Sequence, residues 1–191
     1  MGVAGMERTG SFSDFEEIFN FIPAKALDKR CRTFGGCRIM SAVEQLAVDF
    51  VSTVSEFPIP SSLIKLFDQT RDIEVRLLPL KTLHGAVWLT DDAWVIHLNS
   101  CEGRPERRFT LFHEAFHILC RNSSPAFRRT SLARAPFLEA MADHFACCVL
   151  MPRELIIREW QNTGDVCRMA VLFDVPLTAM RRRLRQLNTG Q

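Results

Sequence analysis

The sequence contains no tyrosine. No step that relies on a phenol of this chain to steady a developing oxyanion is therefore open to it, and histidine, arginine or backbone N–H groups must serve instead. It also lacks any C-x-x-C pair, and its seven cysteines (Cys31, Cys37, Cys101, Cys120, Cys147, Cys148, Cys167) are an odd number. That argues against a disulfide framework and a cysteine zinc knuckle; several of these thiols fall in apolar helical patterns and read as small buried side chains. No apolar run approaches bilayer length, and the stretch Met1 to Arg8 has no signal-peptide hydrophobic region. Met6 stands where a myristoylation pattern requires Ser or Thr. Together these absences point to a cytoplasmic protein with no membrane partner. Charge of one sign is scarce as well: the formal net charge is +2, so nucleic-acid binding would have to rest on local clustering.

What is present is a chain of 191 residues with 47% hydrophobic content, enough for one domain with an extension or small appendage. Its sharpest stretch is Arg107 to Cys120, which holds His113-Glu114-Ala115-Phe116-His117. Two histidines four apart lie about 40° from each other around an α-helix, so both imidazoles can reach one ion. Glu114 falls between them, while Phe109, Phe112, Phe116 and Leu119 recur at helical spacing on the opposite side. The pattern fits a zinc hydrolase, in which two neutral imidazoles hold the metal and the carboxylate takes a proton from the water it activates. The bland alternative is the wet face of an amphipathic helix, and five histidines in the whole chain make a chance match uncommon.

Upstream, residues 1–40 form an N-terminal extension with little sign of order and no chemistry of its own. Phe12, Phe15, Phe19 and Phe21 suggest a short amphipathic helix, Lys29 to Arg38 a basic loop, and Met40 is a second candidate start. Ser41 with Glu44 is a capping-box signature for a helix that carries Val43, Leu46, Ala47, Phe50, Val51 and Val54 to the breaker Pro58-Ile59-Pro60. Ser61 or Ser62 can cap a further short helix with Leu63, Ile64 and Phe67 inward. Three strands follow at Ile73 to Leu78, Gly85 to Leu89 and Ala93 to Leu98, the last two joined by a turn at Thr90-Asp91-Asp92. They predict a small three-stranded antiparallel sheet whose edge, beside a hydrolytic centre, would hold an extended peptide by main-chain hydrogen bonds. Between Arg121 and Pro136 lies a link with four arginines and no acid, read as a lid or as a solvated loop.

The next helix, Phe137 to Met151, carries Glu139 and Asp143 four apart on one face. Glu-x-x-x-Asp downstream of His-Glu-x-x-His is the arrangement of glutamate zincins, with Glu139 as third ligand and Asp143 accepting a hydrogen bond from a ligating histidine. Surface carboxylates of no consequence are the alternative, and a buried acid pair without a metal would be costly. His144, about 100° from Asp143 around the helix, is the competing ligand and a candidate oxyanion stabiliser. His97, on a strand, is a second such candidate, and His84 has the same open status.

Three separated motifs, Arg108-Phe-Thr-Leu-Phe-His-Glu-Ala-Phe-His117, Glu139-Ala-Met-Ala-Asp-His-Phe-Ala146 and Val149-Leu-Met-Pro152, occur in this order. In them the sequence resembles the ImmA/IrrE family of bacterial zinc peptidases, from about Ser41 to Leu187, including Gly85 and the strand end Ile96 to Asn99. The resemblance implies an α+β, zincin-like, mostly helical domain holding one zinc ion, with manganese as an alternative, on His113, His117 and Glu139, and with Glu114 as general base. It further implies an endopeptidase that cuts a helix-turn-helix, XRE-like repressor and so derepresses mobile-element, phage or stress-response genes. Two positions depart from the family pattern: Phe116 stands where glycine often precedes the second histidine, and Met141 occupies a commonly acidic position.

The expected organisation is thus an extension at 1–40, a metallopeptidase domain at 41–160 and a helical tail at 161–191. In the tail, Asp165 to Leu187 reads as two helices about a tight turn at Asp174 to Pro176, a helix-turn-helix-like appendage. Arg181, Arg182, Arg183 and Arg185 could meet DNA phosphates, or be solvated while Met180, Leu184 and Leu187 pack. The length leaves no room for the sensor domain that some relatives carry. From the arginines comes the competing function, a non-catalytic DNA-binding or antitoxin-like regulator on the same scaffold.

Overall fold

The structure is a computed structural model that describes residues 35–52, 73–91, 93–123 and 135–188. The helices read at Phe12 to Phe21 and Ser61 to Phe67, and most of the arginine-rich link after Cys120, lie outside the described residues. Six helices and three strands are described: α1 (Gly35–Ser52), β1 (Ile73–Leu78), β2 (Gly85–Leu89), β3 (Trp94–Asn99), α2 (Arg104–Ser123), α3 (Ala135–Leu150), α4 (Arg153–Thr163), α5 (Val166–Phe173) and α6 (Leu177–Gln186). The expected α+β character and the helical majority are both present. Helix α1 begins at Gly35, so Ser41 sits inside it rather than at its N-cap, and Glu44 reaches a tertiary partner instead of its own helix start.

The sheet is mixed, not antiparallel as the strand pattern suggested. Its order is β1-β3-β2, with β2 antiparallel to β3 but β1 parallel to it. The hairpin fixes only the β2–β3 pairing, closed by Thr90, whose Oγ1 donates to Ala93 O at 2.7 Å and accepts from Ala93 N at 3.1 Å. The free flank of β3 then takes β1, and the link 79–84 reverses the chain without pairing its two neighbours. Strand β3 is buried along Trp94, Val95 and Ile96, as a central strand must be, whereas Leu77, Trp88 and Leu89 on the flanking strands are exposed. Asn99 ties the reversing link in place: its Nδ2 donates to Leu80 O and Leu83 O at 2.8 and 3.1 Å, and its Oδ1 accepts from Cys101 N at 3.0 Å.

One core joins every described helix to the inner face of the sheet. Val75, Ile96 and Val87 lie abreast across the strands and point to it. Helix α3 is its axis, buried from Met141 onward except at Asp143, and packs against α1 and α2. Phe50 meets Phe112 and Phe145 edge-on at centroid distances of 6.0 and 5.9 Å, and Phe116 lies 5.5 Å from Phe145. Burying each such ring stabilises the fold by roughly 1.5–3 kcal/mol. Phe116 and Met141, the two departures from the family pattern, are both fully buried, so they fill the core behind α2 and α3.

The C-terminal helices share this core through Met169, Phe173, Met180 and Leu184 rather than standing beside it. Gly164, at φ 58°, closes α4 in the left-handed conformation that glycine adopts without a Cβ penalty. Asp165 caps α5 by accepting from Cys167 N and Arg168 N. At the turn after α5, Asp174 takes φ 52° and accepts from Arg104 and from the buried Arg108 of α2, at 2.9 and 2.8 Å. The turn of the expected helix-turn-helix is thereby bolted to the His-Glu-x-x-His helix.

Candidate metal centre

Helix α2 starts with Pro105 and Glu106 in its first turn, where a missing N–H and a negative charge are both tolerated or favoured. Its apolar face buries Leu111, Phe112, Ala115, Phe116 and Leu119, which leaves His113 and His117 at the open side. Helix α3 crosses behind and delivers Glu139 and Asp143 to the same place. His113 Nε2 and His117 Nε2 are 3.2 Å apart. His113 Nε2 is 3.0 Å from Glu139 Oε2, and His117 Nε2 is 3.5 Å from Glu139 Oε1.

These separations fit a metal. Four ligands held tetrahedrally at zinc's usual distance of about 2.0–2.1 Å are about 3.3 Å from one another. Two imidazole nitrogens and a carboxylate oxygen that lie within 4.8 Å of one another could hold a metal ion, and Glu139 is half-exposed.

Asp143 completes the arrangement as expected: its Oδ1 lies 3.0 Å from His113 Nδ1. A ring N–H donated to Asp143 fixes the tautomer that points Nε2 at the triad. Burial disfavours the charged His113 ring, but the Asp143 hydrogen bond and the charges of Glu114, Asp143 and Glu139 outweigh it and raise the pKa. Burial likewise opposes the Asp143 carboxylate, yet its hydrogen bonds from His113 and Arg182 bring its pKa below the usual carboxylate value.

Glu114 is 8% exposed, and burial pushes its carboxyl up to about 7 against the opposing pull of His113, with Glu139 adding to the rise. A cation at the triad opposes that push. The carboxylate faces β2 where that strand comes closest. A Cβ added to Gly85 would stand 2.5 Å from Thr110 Cγ2 and 3.1 Å from Glu114 Oε1, so only glycine lets the strand approach the helix here.

The other candidates are placed elsewhere. His144 is buried, and its Nε2 lies 3.2 Å from Met40 O of α1. Burial and the neighbouring Arg183 lower its pKa. It faces α1, not the cleft, and so is no oxyanion stabiliser. His97 pairs across the sheet with Arg76 and Ala86, on the face opposite Gly85 and α2. His84 is exposed and bonds to Glu102. None of the three histidines joins the triad. Cys120, Cys147 and Cys148 are buried thiols as expected, with burial raising the last two to about 12, whereas Cys101 and Cys167 are exposed.

Glu44, His144 and Cys148 also converge within 4.8 Å. There, however, the Arg183 guanidinium already bonds Glu44 Oε1 at 2.8 Å, so the carboxylate has its cation. Arg183 is 1% exposed and also donates to Met151 O at 3.0 Å; Arg182 bonds Asp143; of the four arginines expected to face DNA, Arg181 and Arg185 are exposed. Sequence reasoning missed these inward roles, although Arg183 falls in the same helical stripe as Met180 and Leu187.

The mostly helical fold, its small mixed sheet and the candidate triad are consistent with a zincin-like domain. The chain belongs to the peptidase M78 family, described as the IrrE N-terminal-like domain, which it matches over residues 68–185. No curated protein matches the sequence. Among solved structures it is similar to a Mycobacterium tuberculosis transcriptional regulator at 18% identity and a TM-score of 0.53, over 89% of this chain and 51% of that one. The chain thus spans about half the length of that regulator, and the likeness is one of fold. Among the described residues no helix is long and apolar enough to cross a membrane.

Proposed function

We propose that this chain is a zinc-dependent endopeptidase that cleaves a helix-turn-helix repressor and thereby releases the genes that repressor holds silent. The observation that carries the reading is the convergence of His113, His117 and Glu139 with a buried carboxylate, Glu114, beside them. Manganese would suit the same nitrogen and oxygen donors less well than zinc but is compatible with them.

His113, His117 and Glu139 would hold a divalent ion, which when bound would supply Lewis acidity toward a water molecule and the scissile carbonyl. Glu114, beside the triad, accepts the proton of the attacking water and hands it to the departing amine. Asp143 holds His113 in register. Among the described residues β2 is an edge strand that meets α2 at Gly85, and its main-chain N–H and C=O groups suit an extended peptide, aligning the bond to be cut. With no tyrosine in the chain and His97 and His144 facing elsewhere, backbone N–H groups or an arginine are left to steady the oxyanion. The repressor as substrate follows the resemblance to the ImmA/IrrE family. The alternative, a regulator without catalysis, rests on the exposed Arg181 and Arg185, since Arg182 and Arg183 are engaged within the protein.

Incubation of the zinc-loaded chain with helix-turn-helix proteins encoded beside its gene is expected to give one discrete cleavage, read by mass spectrometry. A chelator should stop it and added zinc restore it. Intact partners under every metal condition would contradict the proposal.

A further inference from the structure

We propose that Arg182, on the last helix, is a positioning residue of the metal centre. It rests on the reading of His113, His117 and Glu139 as metal ligands and adds to it a part of the chain that the three motifs do not reach. Arg182 and Asp143 are 39 residues apart in sequence, yet the Arg182 Nη1 donates to Asp143 Oδ2 while the other oxygen of that carboxylate, Oδ1, faces His113 Nδ1 at 3.0 Å. The carboxylate is thus gripped from both sides. One oxygen is held by a guanidinium on α6, which leaves the other aimed at the ring that must present Nε2 to the ion.

A carboxylate with only the histidine as partner can rotate about its χ angles and, being 28% exposed, can turn to water instead. The grip removes that freedom. Helix α6 can hold Arg182 in place because Met180, Arg183 and Leu184, on its buried side, are fixed in the core. The grip thus ties the last helix to the candidate centre.

Charge and orientation act in opposite senses here, which makes the role testable. Taking a positive charge away from the neighbourhood of a cation should by itself tighten metal binding. Loss of orientation should loosen it, since partners outside the ligand shell are worth about 10–100-fold in metal affinity. Arg182 is one step further out, so Arg182→Ala is expected to weaken zinc binding by about tenfold, at the low end of that range. The readout is competition with a chromogenic chelator on the full chain. The thermal midpoint of the metal-free protein should hardly move, because the pair is partly exposed. Arg181→Ala, which removes a neighbouring exposed charge, should leave affinity where it was. In an Asp143→Ala background the Arg182 exchange should add nothing.

Unchanged or tighter zinc binding by Arg182→Ala would overturn the proposal, as would an equal loss in the Asp143→Ala background. Should the alanine variant fail to fold, Arg182→Lys keeps the charge but not the planar fork. It is then expected to bind zinc severalfold more weakly, and wild-type affinity would overturn the role. A wild-type chain that takes up no zinc would instead overturn the metal centre itself, and Arg182 with it.

Discussion

Exchange of Glu114 for Gln is expected to abolish cleavage and leave the metal in place. The side chain is nearly isosteric and sits beside the triad without belonging to it, so His113, His117 and Glu139 keep their mutual distances. What is lost is the proton acceptor. General bases contribute about 10²–10⁴ to a rate, and here the same group also protonates the leaving amine, so a loss at the upper end is expected. The metal-free variant should be no less stable than the parent. Burial disfavours the Glu114 carboxylate enough to bring its pKa to about 7, and a neutral amide escapes that cost. Turnover and metal content measured on one preparation check both halves. Undiminished cleavage would refute the role of Glu114, and loss of the metal would show that Glu114 helps to hold it.

The second large effect is on stability. Arg183→Ala removes a guanidinium that is 1% exposed and strands both of its partners, Glu44 on α1 and the Met151 carbonyl after α3. Breaking a buried ion pair from one side costs about 3–5 kcal/mol. Glu44 is 28% exposed and can recover some water, which places the expected loss near about 3 kcal/mol. Replacing both partners, Arg183→Met with Glu44→Leu, should recover most of it, because neither charge is then buried alone. Urea denaturation reads both. A loss below about 1 kcal/mol for Arg183→Ala would mean that the pair behaves like a surface one and that α6 is less firmly docked than its burial indicates.

The candidate metal centre was legible in the sequence because its parts obey a single rule, helical periodicity. His113, Glu114 and His117 fall on one side of a helix whose other side is aromatic, and Glu139 and Asp143 share a face at the same spacing. Contacts between distant elements follow no such rule. The parallel pairing of β1 with β3 depends on which flank of β3 the hairpin leaves free, and neither strand records that choice. The faces of His97 and His144 are set by what packs against them: a strand position alternates in or out by register, and His144 is turned to α1 by a one-residue step from Asp143. Arginines at 181, 182 and 183 read as a basic run, but a helix distributes three consecutive residues over most of its circumference. One is therefore exposed, one grips Asp143 and one is buried. The start of α1 at Gly35 overrode the cap signal at Ser41, since Glu44 finds a stronger partner in Arg183 than its own backbone would offer. Asn99, whose side chain fastens the link before β2, carried no signal beyond its place at the end of a strand.

Among the described residues two groups of side chains have the composition of a metal site, and they differ in sulfur: His113, His117 and Glu139 have none, while Glu44, His144 and Cys148 include a thiol. X-ray absorption at the zinc edge of the loaded protein separates them directly. The expected spectrum has only nitrogen and oxygen neighbours at about 2.0–2.1 Å, with imidazole features, from one zinc per chain that is lost on Glu139→Ala. A sulfur neighbour at about 2.3 Å, or a protein that retains its zinc without Glu139, would contradict the assignment of the metal to α2 and α3.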